Sequence, residues 1–111
     1  MRGSTTGRPI MAALDLLGRR WALRVLWELR DGPSGFRELQ QRCDGMSSSV
    51  LRQRLLELEA ADLVEQPAAD YALTDLGRDA LKALRALDRW SRRWAERWAD
   101  DAGEPPARPA R

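Results

Sequence analysis

The chain has 111 residues, 43% apolar and 32% charged, with 19 basic against 17 acidic residues and a net charge of +2. That describes one domain with a modest core, and a charge balance too even to mark a nucleic-acid binder, so any basic footprint must be local. One cysteine, Cys43, and no histidine exclude an internal disulfide, a zinc site and the Ser–His and Cys–His nucleophile pairs.

Catalysis is therefore disfavoured, and neither an enzymatic activity nor a cofactor is expected. No apolar run approaches bilayer-spanning length, and no signal-peptide pattern opens the chain. The expectation is a cytoplasmic protein that makes no membrane contact.

Residues 1–8 are polar and contain glycine, which predicts a flexible N-terminal arm. From Pro9 the pattern turns helical. Met11, Leu14 and Leu17 share one face, and Gly18 ends this first short helix. Trp21, Val25, Leu26 and Leu29 continue the pattern through Arg30 as a second helix, apolar over a wide arc. Asp31–Gly32–Pro33 stops it, because proline cannot continue a helix. Gly35–Cys43 reads as a third, short helix with Phe36 and Leu39 inward and Arg37, Gln40, Gln41 and Arg42 polar.

Asp44–Gly45 is a tight turn, and the three serines after it can each cap a helix. In the fourth helix Leu51, Leu55 and Leu58 recur at i, i+4, i+7 as an apolar stripe. Ser48, Ser49, Arg52 and Gln53 lie away from that stripe, near the helix start. Hydroxyls, a guanidinium and an amide there can donate to phosphates and read base edges in a major groove. Taken alone, such a helix is more often an ordinary amphipathic one with a solvated face. Two short helices about a tight turn, the second with a polar N-terminal face, form a helix-turn-helix. Between Gly35 and Arg54 the basic residues are Arg37, Arg42, Arg52 and Arg54, against Glu38 and Asp44.

Leu63–Val64–Glu65 and Tyr71–Ala72–Leu73 read as two short strands joined by Gln66–Asp70 with Pro67 in the turn. A hairpin after a helix-turn-helix is a wing. Thr74 caps a final helix that should run to about Ala102, with Leu76, Ala80, Leu84, Leu87, Trp90, Trp94 and Trp98 at spacings of three or four. Residues 103–111 read as a disordered tail. The predicted fold is mainly α with a small β-hairpin: a winged helix-turn-helix domain over residues 9–102 whose long last helix, 74–102, serves dimerisation.

Four segments resemble the HxlR-type transcriptional regulators, relatives of the MarR winged-helix group. They are Leu14–Leu29 (LDLLGRRWALRVLWEL), Asp31–Cys43 (DGPSGFRELQQRC), Gly45–Glu65 (GMSSSVLRQRLLELEAADLVE) and Tyr71–Trp90 (YALTDLGRDALKALRALDRW). Their order and spacing carry the match. The resemblance implies a homodimeric, sequence-specific regulator that binds double-stranded DNA, with the fourth helix in the major groove and the first and last helices forming the dimer. Carried over residue by residue, Ser48, Ser49, Arg52 and Gln53 are the candidate base and phosphate contacts. Ser47, the likeliest cap, is a further phosphate contact, and Arg37 and Arg42 would sit on backbone phosphates. Arg54 is divided equally between DNA contact and an i,i+3 ion pair with Glu57.

Three departures stand out. The connection QPAAD is shorter than the family's wing and carries no basic residue. Leu56 occupies a position usually basic in the family. The N-terminal cysteine through which some members sense oxidants is missing, and Cys43 reads as a small core hydrophobe.

The apolar stripe of the last helix needs a partner, and a second copy of the same helix is the simplest one. Met11, Leu14, Leu84, Leu87, Trp90, Trp94 and Trp98 are the candidate dimer-interface residues. The sharper alternative is a crevice in which Trp21, Trp27, Trp90 and Trp94 stack a small planar organic effector. At its limit this gives a rival function: a ligand-binding or sequestering protein on a winged-helix scaffold with weak DNA binding.

Overall fold

The computed structural model describes residues 8–101. Of the expected arm only Arg8 falls among them, and the expected tail, 103–111, lies outside them. The elements in chain order are α1 (Pro9–Leu17), α2 (Ala22–Glu28), α3 (Phe36–Arg42), α4 (Ser48–Ala60), β1 (Val64–Glu65), β2 (Ala72–Leu73) and α5 (Asp75–Asp101). The chain divides into two compact units, one ending at Leu81 and the other beginning at Lys82, both within the span of α5.

In the first unit α2 and α4 pack on each other, α1 and α3 pack on α2, and β1 packs on α4. The core includes Ala22, Val25, Leu26 and Leu29 from α2 and its end, Leu39 and Cys43 from α3 and its cap, Leu51, Leu55 and Leu58 from α4, and Val64 and Leu73 from the strands. The i, i+4, i+7 stripe of α4 is thus its buried face. Phe36, expected inward, is only half-buried; its ring is taken up at the surface, as described below.

The turns follow from backbone chemistry. After α3, the Gly45 N–H donates to the Gln40 carbonyl at 2.9 Å and the Asp44 N–H to the Gln41 carbonyl at 3.1 Å, the paired bonds that satisfy a helix's last carbonyls. Asp44 and Gly45 both take positive φ, 61° and 68°. This double left-handed turn sets the angle between α3 and α4. The Gln40 side chain locks it by donating to the Met46 carbonyl at 2.8 Å. The end of α4 repeats the device, with Leu63 N–H on the Leu58 carbonyl and Asp62 N–H on the Glu59 carbonyl, both at 2.9 Å.

The second helix differs from expectation at its start. Trp21 lies outside α2 as its N-cap, at φ 76°, a left-handed conformation that is unfavourable by about 1–2 kcal/mol for an L-residue with a side chain. The strands are also shorter than expected. Only Val64↔Leu73 and Glu65↔Ala72 pair, antiparallel. Tyr71 instead forms a separate bridge with Ser34, its N–H and carbonyl each bonded to Ser34 at 2.9 Å. That bridge fastens the segment entering α3 to the hairpin. At the start of α5, Thr74 Oγ1 accepts the Gly77 N–H at 2.9 Å and donates to the Asp62 carbonyl at 2.7 Å. Gly77 is buried, and a Cβ there would collide with the Leu63 carbonyl oxygen.

The second unit continues α5 from Lys82. Trp90 and Trp94 stack with ring centroids 5.1 Å apart at 21°, and Trp94 meets Trp98 at 3.9 Å and 53°. Leu87, Trp90 and Trp94 are exposed. Arg92 pairs with Asp88 at 3.3 Å. No helix among the described residues is long and apolar enough to cross a membrane.

Candidate nucleic-acid interface

Alpha4 begins at the cap that the serine run predicts. Ser47 Oγ accepts the Val50 N–H at 3.3 Å and shares a hydrogen bond of 2.9 Å with Ser49 Oγ. Two of the three serines are therefore engaged with the helix start. Ser48 is left facing an open groove of about 610 Å³. Arg37 and Gln40 of α3 and Arg52 of α4 line the same groove, with Phe36 between the two helices and Gln66, Ala69 and Tyr71 from the hairpin. Two arginines and no carboxylate line it, so its potential is positive although the whole chain is nearly neutral.

The arginines fall into two classes. Arg54 donates to Glu57 at 3.2 Å and to the Arg20 carbonyl at 2.7 Å. The ion pair weighed against DNA contact for Arg54 is therefore formed. Arg42 pairs with Glu38 at 3.1 Å and reaches the Glu28 carbonyl at 3.3 Å. Arg37 and Arg52, by contrast, form no ion pair with a carboxylate among the described residues, and both are exposed. Gln53 is exposed but donates to Glu57 at 3.0 Å.

Glu57 is the junction of one network. Gln53, Arg54 and Arg19 converge on it, Arg19 at 2.9 Å. Burial would raise the Glu57 carboxyl, but the Gln53 hydrogen bond and the positive charges of Arg54 and Arg19 outweigh it, so its pKa falls below the ordinary value. A second network holds α2 on the turn: Arg24 contacts Glu28 at 2.8 Å, Asp44 at 3.2 Å and the Arg42 carbonyl at 2.6 Å. Burial alone would lower the Arg24 pKa; its bonds to Glu28 and Asp44 more than offset this and raise it. The two networks thus tie α2, the turn after α3 and α4 together.

Cys43 sits at the C-cap of α3, fully buried. Burial pushes its thiol up to about 11, so thiolate is scarce at neutral pH. The expected outcome with a thiol-specific disulfide reagent at pH 7.5 is negligible labelling of the native protein and full labelling in denaturant. Prompt native labelling would contradict the burial.

The sequence matches a known family over most of its length. The model of the HxlR-like helix-turn-helix family matches residues 16–99. The chain belongs to that family. Among curated relatives, the HTH-type transcriptional regulator YodB of Bacillus subtilis (strain 168) is 30% identical over 96 residues, 80% of this chain and 86% of that one. The structure of YodB solved with quinone bound superposes with a TM-score of 0.69 at 32% identity, covering 73% of this chain and 92% of that one. A MarR-family regulator from Enterococcus faecalis V583 superposes with a TM-score of 0.70 at 30% identity, covering 89% and 99%. This HxlR-type chain is a transcriptional regulator with a winged-helix fold, and its relatives carry the names of regulators rather than enzymes.

Of the residues that the sequence offered for DNA, the groove collects Arg37, Ser48 and Arg52. Ser47, Ser49, Gln53, Arg42 and Arg54 are not among its lining. Phe36, Gln40, Gln66 and Tyr71 line it without having been singled out. Tyr71 and Gln66 flank the hairpin turn, and the pairing of Tyr71 with Ser34 ties that turn to the segment entering α3.

Proposed function

We propose that this regulator binds double-stranded DNA as a homodimer and reads a specific operator with the N-terminal half of α4. The observation that carries the reading is the groove lined by α3, α4 and the hairpin, with Ser48 and two arginines that pair with no carboxylate among the described residues. In this reading Arg52 and Ser48 meet base edges, Gln53 can turn from Glu57 to a base, and Arg37 holds a phosphate. Ser47, Ser49 and Arg42 lie at the margin as backbone contacts. Arg54 ranks behind them, since its Nε and Nη1 already bond the Arg20 carbonyl and Glu57.

The second copy is supplied by the exposed apolar residues. Leu14 of α1 and Leu87, Trp90 and Trp94 of α5 are about half exposed in the single chain, and Met11, Leu84 and Trp98 accompany them. Burying such aromatics is worth about 25 cal/mol per Å² of apolar surface, which favours pairing. DNA half-sites separated by about one helical turn would then be bound together.

The reading is tested by fluorescence anisotropy with labelled duplexes tiled across the DNA upstream of the protein's own gene, at two salt concentrations and with scrambled competitor. The expected result is one duplex retained against competitor, with affinity falling steeply as salt rises. Arg52→Ala should weaken that complex by about 1–3 kcal/mol; unchanged affinity would remove Arg52 from the interface.

A second element of the reading is effector response. The stacked series Trp90, Trp94 and Trp98 offers aromatic faces, and the related YodB has been solved with quinone bound. We propose that a planar organic effector stacks on Trp90 and Trp94; Trp21 and Trp27, in the other unit, are separate candidates. Arg30 already covers the Trp27 ring at 4.5 Å, and Arg20 lies 5.7 Å from that of Trp21, which leaves those two rings less available. Quenching of tryptophan fluorescence by quinones without any DNA affinity at low salt would favour the ligand-sequestering alternative.

A further inference from the structure

We propose that Phe36 is a positioning residue for DNA recognition: its ring is the platform that holds the Arg52 guanidinium ready to read a base. This deepens the DNA-binding reading above and rests on it. The Arg52 guanidinium carbon lies 4.8 Å from the Phe36 ring centroid. Phe36 is the first residue of α3 and Arg52 lies in the second turn of α4, so the contact spans the two helices of the motif.

Three observations separate this contact from an incidental one. The platform is fixed: two residues before Phe36, fully buried Ser34 is held to Tyr71 by two backbone hydrogen bonds, and the turn after α3 is locked by Gln40 on the Met46 carbonyl. The guanidinium is uncommitted: Arg52 has no carboxylate partner among the described residues, whereas Arg42 and Arg54 have theirs. Both residues line the same groove, beside Arg37 and Ser48.

The chemistry explains why an aromatic partner suits this site. A carboxylate would orient an arginine by occupying the N–H donors that a guanine edge requires. A ring engages the flat face of the guanidinium and leaves the in-plane donors pointing outward. Stacking and bidentate hydrogen bonding therefore use orthogonal parts of one group. A long side chain ordered before binding loses less entropy on binding, so the stack favours affinity as well as orientation. The core does not demand an aromatic at this position, because Phe36 is half-exposed where Leu39 and Cys43 are sealed.

The test uses the full chain, with a duplex selected in vitro from a random pool and single-base variants of it. Phe36→Leu keeps an apolar side chain without the ring; Phe36→Tyr keeps the ring. Phe36→Leu should weaken the selected duplex about two- to fivefold and flatten discrimination at one base position, and Phe36→Tyr should restore both. In an Arg52→Ala background Phe36→Leu should cost nothing further. In the free protein, the NMR signal of the Arg52 Nε–H should be ring-current shifted in wild type and Phe36→Tyr and revert in Phe36→Leu. An Arg52 signal indifferent to Phe36→Leu, or an equal loss in both backgrounds, overturns the proposal and leaves the DNA-binding reading intact. A shifted Arg52 signal in a protein that selects no duplex overturns that reading, and the proposed role falls with it.

Discussion

Leu55→Ala is expected to destabilise the first unit by about 2–5 kcal/mol, the range for removing a large aliphatic side chain from a sealed core. Leu55 is 1% exposed and lies in the middle of the α4 stripe, between Leu51 and Leu58, both at 0%. Truncation there leaves a cavity that neither neighbour can fill, since both are held by the same rigid helix and by the packing of α2. A chemical denaturation midpoint, followed by circular dichroism, reads the effect directly. A loss well under 1 kcal/mol would mean that α4 does not pack as described. Because the same helix carries Ser48, Arg52 and Gln53 on its other face, DNA affinity should fall with stability in this variant. That distinguishes it from Arg52→Ala, which should leave the midpoint unchanged.

Trp94→Ala should weaken self-association by at least about 2 kcal/mol, roughly thirtyfold in the dissociation constant, if Trp94 anchors the dimer. The reason is its place in the aromatic series, with Trp90 stacked on one side and Trp98 tilted against the other. One truncation removes a ring that is 44% exposed in the single chain, together with the intrachain contacts that hold Trp90 and Trp98 in place. Sedimentation equilibrium over a wide concentration range measures the shift, with the far-ultraviolet spectrum confirming that α5 is still helical. An unaltered dimer would move the interface away from α5, towards the exposed Ile10 and Leu14 of α1. A monomeric wild type would dispose of the homodimer altogether. Since two half-sites held together bind far more tightly than one, a monomeric variant should also lose most of its operator affinity.

What was legible in the sequence was local. The Ser47 and Thr74 caps announce themselves because a hydroxyl before an apolar-periodic segment has one obvious backbone donor to satisfy, and both hydroxyls are so used. The Leu51, Leu55, Leu58 stripe reads directly because its period is that of the helix. The misplaced start of α2 has a different character. Nothing in its composition marks Trp21 as left-handed, since glycine and asparagine are the usual signals there. The shortened strands have a similar cause. Whether Tyr71 pairs along the hairpin or across to Ser34 depends on where α3 lies, information spread over some forty residues of chain. The site was legible as a set of types and not as a set of roles. Arg42, Arg52 and Arg54 look alike on paper, and only their neighbours in space, Glu38, Phe36 and Glu57, sort them.

Gly77 illustrates how a joint of this kind constrains inheritance. Its Cβ-less backbone lies against the carbonyl of Leu63, and the obstacle is main chain, which every amino acid shares. A side-chain clash can be relieved by shrinking the partner; this one cannot be relieved by any exchange at position 63. A side chain at residue 77 could therefore be admitted only by moving backbone, so the hairpin exit and the first turn of α5 behave as one rigid joint.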